Sequence, residues 1–353
     1  MNKKWFYPIL ILSTLISTVV HFTVHNQPLQ FATACLSLLF WAAMLGKATE
    51  NVAHYAGERL GGLLNATFGN AAELIIAIFL VKEGFFDMVK ASVTGSIIGN
   101  LLLVLGLSLF AGGLKFKTQQ FNPMLAGHNA SLMMLSVIAL FVPAVFLQQL
   151  PSAKINNVSL IISGALILGY FLWLYFSLVT HKEELGEKID GMPDHVEGEE
   201  PEWSKGVSIL LLVVSTAFVA LQSEWLVHSV EAVAQALGWS ELFVGAFLIA
   251  IIGNAAEHSA AIFLAMKNRI GAAVEIAIGS SLQISLFVAP MLVFISWLFG
   301  NPMNIIFSTY EIAAIAVSAF IASSISRDGS TNWYEGVLLL IVYTILGTVF
   351  FVV

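Results

Sequence analysis

Residues 69–80 read GNAAELIIAIFL and residues 253–264 read GNAAEHSAAIFL, nine identities in twelve positions at an offset of 184. The offset outlasts the motif, because Gly95–Ser96 and Gly279–Ser280 stand at the same spacing. Upstream, Glu50, Val52, Ala53 and Gly57 echo Glu231, Val233, Ala234 and Gly238 at an offset of 181. One shared pentapeptide would carry little weight. A match sustained over three motifs marks an internal duplication.

The duplicated unit lies in an apolar chain. Of 353 residues, 58% are hydrophobic and 10% charged, with a mean hydropathy of +0.88. A soluble domain carries about 25% charged residues, so a soluble enzyme is excluded. The net charge of −7 has the wrong sign for nucleic acid. The single cysteine, Cys35, sits in an apolar run, which excludes a disulfide framework and a thiolate metal cluster. No cofactor is expected.

A helix needs ~20 mostly apolar residues to cross a bilayer. Such stretches fall near 5–24, 29–56, 60–82, 88–112, 122–147, 155–180, 204–237, 241–266, 273–299, 305–325 and 333–353. None shows the period-two alternation of a membrane barrel. The expected fold is an all-α membrane protein of eleven transmembrane helices. The first stretch, after Lys3 and Lys4, resembles a signal peptide, but Val19, Val20, His21 and Phe22 offer no small-residue cleavage site, so it is read as retained. Residues 1–28 then form an N-terminal helix and connector, 29–181 a first unit of five helices, 182–203 a linker, and 204–353 a second unit of five. Trp5, Trp203, Trp225, Trp239 and Trp333 read as interface anchors.

An N-terminus placed in the cytoplasm leaves Lys3, Lys4, Arg59, Lys115, Lys117, Lys182, Lys188, Lys205, Lys267, Arg269 and Arg327 inside. Only Lys82, Lys90 and Lys154 then lie outside, and Lys47 falls within a helix. This bias satisfies the positive-inside rule and puts the C-terminus outside. The linker carries Glu183, Glu184, Glu187, Asp190, Asp194, Glu197, Glu199, Glu200 and Glu202, too much charge for lipid. It reads either as a sensor or attractor of divalent cations at the cytoplasmic mouth, or as a hydrated tether.

Five crossings per unit force the second copy to insert upside down. Inverted repeats of this kind recur in secondary transporters, where the halves meet at a midplane site. Glu73 and Glu257 both fall near the middle of their spans, counted at ~1.5 Å per residue. An acid there costs at least ~2.5–3.5 kcal/mol, so it usually faces a cavity and has a function. Asn70 and Asn254 each precede a glutamate by three residues and share its helix face. Ser96 with Asn100, and Ser280 with Gln283, add oxygens on the neighbouring spans. Such hard donors suit calcium, which takes 6–8 oxygens, whereas zinc or copper would want imidazole or thiolate. Gly69, Gly95, Gly253 and Gly279 are expected either to break their helices and free carbonyls around the cation, or to allow close helix packing.

Two carboxylates are neutralised by one calcium ion or by two protons, and like charges held close make double ionisation costly. An unloaded site would hold about two negative charges in a low dielectric, which makes exchange obligatory. Glu50 and Glu231 occupy mirrored positions near opposite mouths and read as proton relays or cation attractors, or as interfacial acids. His258 adjoins Glu257 and reads as a proton carrier or a packing residue. No role is assigned to His128, Glu275 or Glu311.

GNAAE followed by GSIIGNLLLVLG, and GNAAEH followed by GSSLQISLFVAP, resemble the paired repeats of the CAX family of calcium/proton antiporters, within the calcium/cation antiporter superfamily. The resemblance covers essentially the whole chain. It implies ten core helices in two inverted halves plus an extra first helix, calcium as transported substrate, and a homo-oligomer, a trimer in some members. It assigns Glu73 and Glu257 to calcium and proton binding, with Asn70, Asn254, Ser96, Ser280 and Gln283 around them. Gly99 and Asn100 align with Gln283 and Ile284, so the halves need not supply equivalent ligands. The termini lack the long regulatory extension of plant relatives, which leads to the expectation of a prokaryotic plasma-membrane protein.

Sodium/calcium exchangers of the same superfamily are the main alternative. They typically place proline before the repeat acid, where this chain has Ala72 and Ala256, and this favours protons. An intramembrane metalloprotease lacks support because Glu257–His258 is not HExxH. A channel is disfavoured by the inverted duplication.

Overall fold

The computed structural model describes residues 3–147, 150–185 and 201–353. The sensor-or-tether reading of the acidic linker falls largely on residues 186–200, outside the described residues. Among the described residues, twelve helices of eleven residues or more carry the fold: α1 (Lys3–Thr23), α2 (Gln27–Ala56), α3 (Glu58–Phe68) and α4 (Ala71–Glu83), then α5 (Phe86–Phe116), α6 (Pro123–Phe146) and α7 (Ala153–Thr180). There follow α8 (Lys205–Leu237), α9 (Glu241–Ala265), α10 (Ile270–Leu298), α11 (Thr309–Ile325) and α12 (Trp333–Val352). Among the described residues, nine of these are long and apolar enough to cross a membrane. The exceptions are α11, which is shorter, and the α3–α4 pair.

Helix ends follow local chemistry. Asn26 and Asn122 cap α2 and α6 ahead of Pro28 and Pro123, and Gly84 and Gly238 end α4 and α8 in the left-handed conformation, as N-cap amides, early prolines and C-terminal glycines do. Glu311, left without a role by the sequence, closes a capping box at α11: Ser308 N donates to its Oε2 at 2.7 Å, and Glu311 N donates to Ser308 Oγ at 3.3 Å. His128 packs its ring against Trp173 and Phe176.

The centre of the bundle is α5 and α10, with 72% and 78% of their apolar windows inside the protein against 17% for α12. Helices α2 and α8 lie along one another, and α1 docks on α2 and reaches α8 through Ser17 and His21. Trp41 Nε1 donates to Thr14 Oγ1 at 2.8 Å, and Ser17 Oγ donates to Gln222 Oε1 at 2.8 Å. Trp225 is no interface anchor. It is 8% exposed and stacks on His21 with ring centroids 4.3 Å apart, because α1 covers that face of α8.

Helical geometry departs from expectation at the repeat glycines. The span expected over 60–82 is interrupted at Gly69–Asn70, where Asn70 leaves helical geometry at φ −95, ψ 30. Gly95, Gly253 and Gly279 break nothing and lie inside α5, α9 and α10. Within a helix these glycines keep their backbone bonds, since lipid offers no alternative partner, and at Gly95 and Gly253, though not at Gly279, the missing Cβ serves close packing. A Cβ on Gly95 would strike the backbone of Ala246 on α9. One on Gly245 would lie 2.7 Å from Ala91 Cβ and 2.8 Å from Met88 O. Irregularity appears instead as π-helical turns at Gly99–Val104, Phe176–Thr180, Val244–Ile249 and Ile284–Val288. Three of these adjoin the repeat motifs, and such turns are frequent at functional sites.

The structure also contains a small sheet that the hydropathy pattern does not announce. Strand β1 (Thr118–Gln120) pairs antiparallel with β2 (Ser330–Asn332), Gln119 opposite Thr331. The 2%-exposed Gln119 donates Nε2 to Ala265 O at 3.0 Å and to Asn268 Oδ1 at 2.9 Å. Three connections on one face are thereby clipped together. Gln119→Ala removes both side-chain bonds, each contributing about 0.5–1.5 kcal/mol, so a loss of about 1–3 kcal/mol is expected, read as a lower melting temperature in detergent, although Ala265 O keeps its bond from Asn268 N. Unchanged melting would show that the clip contributes nothing.

Candidate functional site

The site grows out of the break between α3 and α4. Ending α3 at Phe68 places Glu73 in the first turn of α4, where the positive end of the helix dipole favours a carboxylate. Glu257 stands mid-helix in α9 and takes its support from another helix: Ser280 Oγ of α10 donates to Glu257 Oε2 at 2.7 Å. The two glutamates approach across glycines. A Cβ on Gly253 would lie 3.1 Å from Glu73 Cγ, and one on Gly69 would lie 3.4 Å from Glu257 Oε1 and 3.7 Å from Gln283 Oε1. Each GNAAE glycine thus makes room for the other copy's glutamate.

Around this pair stand most of the polar residues singled out by sequence. Asn70, Asn254, Ser96, Asn100, Ser280 and Gln283 are all buried. Asn254 Nδ2 donates to Ser96 Oγ and to Ala250 O, both at 2.9 Å. His258 Nε2 lies 3.1 Å from Asn100 Oδ1. Both oxygens of Glu73, both amide atoms of Asn70, Asn100 Nδ2, Asn254 Oδ1 and Gln283 Nε2 are buried with no hydrogen-bond partner in the protein. Buried polar groups are nearly always paired, so so many unpaired atoms in one place make a region built to meet something other than protein. Its acceptors are carboxylate, amide and hydroxyl oxygens, the donor set of a hard cation. Among the described residues no three histidines, cysteines or acids gather as a softer metal would require.

Glu50 and Glu231 are not brought to this cluster. Both are exposed, toward the C-terminal ends of α2 and α8, and Gln235 Nε2 donates to Glu231 Oε1 at 3.2 Å. Thr94 was missed. It is fully buried, its hydroxyl lacks a partner, and it adjoins Gly95–Ser96. Its counterpart across the offset is Ile278, so the duplication gave no signal.

A bundle of membrane-crossing helices that folds two carboxylates and a shell of amides and hydroxyls into its interior has the build of an ion-transporting membrane protein. Residues 26–179 and 207–352 match the sodium/calcium exchanger protein family, and the chain belongs to that family. It is 46% identical over 353 residues to the Ca2+/H+ antiporter ChaA of Bacillus subtilis strain 168, covering 99% of each. It is 43% identical over 369 residues to the Ca2+/H+ antiporter of Aphanothece halophytica, covering 99% of this chain and 97% of that one. Among solved structures, native YfkE superposes with a TM-score of 0.86 at 40% identity, covering 99% of both chains. The H+/Ca2+ exchanger CAX superposes at 0.76 with 13% identity, over 99% of this chain and 92% of that one, a likeness of fold.

Proposed function

We propose that this chain exchanges calcium for protons across a membrane by alternating access, with Glu73 and Glu257 binding either one calcium ion or two protons. The observation that carries this reading is the approach of one glutamate from each copy of the duplicated motif, inside an otherwise oxygen-lined cluster. The relatives described as Ca2+/H+ antiporters, matched over nearly their full length, support the same reading. Asn70, Asn254, Ser96, Ser280, Gln283 and Asn100 complete the shell, and His258 acts on it through Asn100. Glu50 and Glu231 attract cations at the two mouths. The nine long helices, α11 and the α3–α4 pair together make eleven crossings, α1 followed by two inverted units. The basic side, with Lys115, Lys267 and Arg269, faces the cytoplasm.

The reading is tested in proteoliposomes. An imposed pH gradient is expected to drive radiolabelled calcium uptake, and a sodium gradient alone is not. Uptake driven by sodium only, or equal uptake with and without a pH gradient, would overturn it.

A further inference from the structure

The hydrogen bonds inside the site do not share the symmetry of its sequence. Ser280 donates to Glu257, yet its counterpart Ser96 is not bonded to Glu73, whose oxygens have no partner. Asn254 donates to Ser96 across the two copies, yet its counterpart Asn70 makes no bond to Ser280 and has both amide atoms unpartnered. Every bond made on one side of the internal correspondence is unmade on the other.

Burial is lopsided in the same sense. On one side of the glutamates Ile76, Leu80, Val81, Val244, Ala246 and Ile249 are at most 1% exposed. On the other side, which carries Lys267 and Arg269, Phe68 is 40% exposed and Asn65 and Ser259 are exposed as well. Ala261 and Ala265 on the basic side are buried as well, and Ile251 on the other is 38% exposed, so the difference is confined to the C-terminal end of α3 and one face of α9, and the conformer is read as the one facing the basic side.

Inverted copies reach the opposite-facing conformer by exchanging environments. We propose that Ser96 and Ser280 are positioning residues that take turns. In the conformer described here Ser280 orients Glu257 while Asn254 occupies Ser96. In the opposite-facing conformer Ser96 donates to Glu73 while Asn70 donates to Ser280, leaving Glu257 and Asn254 free. Each serine thus presents one carboxylate to calcium arriving from one face of the membrane. This deepens the exchange reading above and rests on it.

The test is the calcium KM measured separately from each face, in everted and in right-side-out vesicles. Ser280→Ala is expected to raise KM about tenfold more at the basic face than at the opposite one, equivalent to ~1.4 kcal/mol. Ser96→Ala is expected to show the reverse bias. Ser280→Thr and Ser96→Thr, which keep the hydroxyl, should recover most of each loss and stand in should an alanine variant fail to fold. Serines acting as plain ligands would raise KM alike at both faces. That result, or no shift at either face, overturns the proposal while wild-type exchange persists. A wild type that moves no calcium under a pH gradient overturns the exchange reading, and this inference falls with it.

Discussion

Glu73→Gln is expected to lower calcium-for-proton exchange at least a hundredfold, and Glu257→Gln to do the same. Glutamine keeps the shape of the side chain and the packing against Gly253, but it neither releases a proton nor carries charge. With one carboxylate left, a bound calcium ion would leave about one uncompensated positive charge inside the protein. An unpaired buried charge costs several kcal/mol, and ~2.7 kcal/mol already corresponds to a hundredfold. The proton-loaded form fails for the complementary reason, because only one exchangeable proton remains. Glu50→Gln and Glu231→Gln alter exposed side chains outside the cluster and should have far smaller effects. Initial rates of radiolabelled calcium uptake at a fixed pH gradient decide the matter. Activity above a tenth of wild type in either variant would refute the paired-carboxylate reading.

How far the sequence speaks for this site depends on which signals survive along a line of residues. The duplication identifies Glu73, Glu257, the two asparagines and the two serines without any structure, because each copy vouches for the other. It is silent on how those side chains pair. Asn254 and Ser96 stand 158 residues apart, and nothing local distinguishes that partner from Ser280. Thr94 escapes for the same reason, since its counterpart is apolar. The β1–β2 clip escapes because strands of three residues are too short to show alternation. The capping box at α11 was present as Ser308 and Glu311, but hydropathy placed both inside an expected span starting at 305, and the acid looked intramembrane. The break at Gly69–Asn70 and the continuity at Gly253 come from near-identical local sequence. Long-range packing, which decides between them, leaves no mark within the motif.

The same blindness yields a second prediction of large effect. Gly95 and Gly279 open identical Gly-Ser pairs, and sequence alone would have their substitutions behave alike. In the structure a Cβ on Gly95 collides with the backbone of Ala246, whereas one on Gly279 meets nothing within 4 Å. The obstacle at Gly95 is backbone, which cannot rotate away, and Gly245 already brings the same turn of α9 against Met88 and Ala91. Gly95→Ala is therefore expected to cost about 3 kcal/mol, the upper end of ordinary overpacking, and to lower the melting temperature markedly. Gly279→Ala has room, and replacing a mid-helix glycine by alanine gains roughly 0.5–1 kcal/mol, so it should melt no lower than wild type. Its transport should nevertheless suffer. Across the offset the pair Gly95 and Ala246 corresponds to Gly279 and Gly62, so exchanging the environments of the two copies brings position 279 into the crowded role. Gly279→Ala then favours the conformer described here and hinders its opposite, giving a protein that is at least as stable yet turns over slowly. Equal destabilisation by the two substitutions, or full turnover in Gly279→Ala, would show that the copies do not trade places.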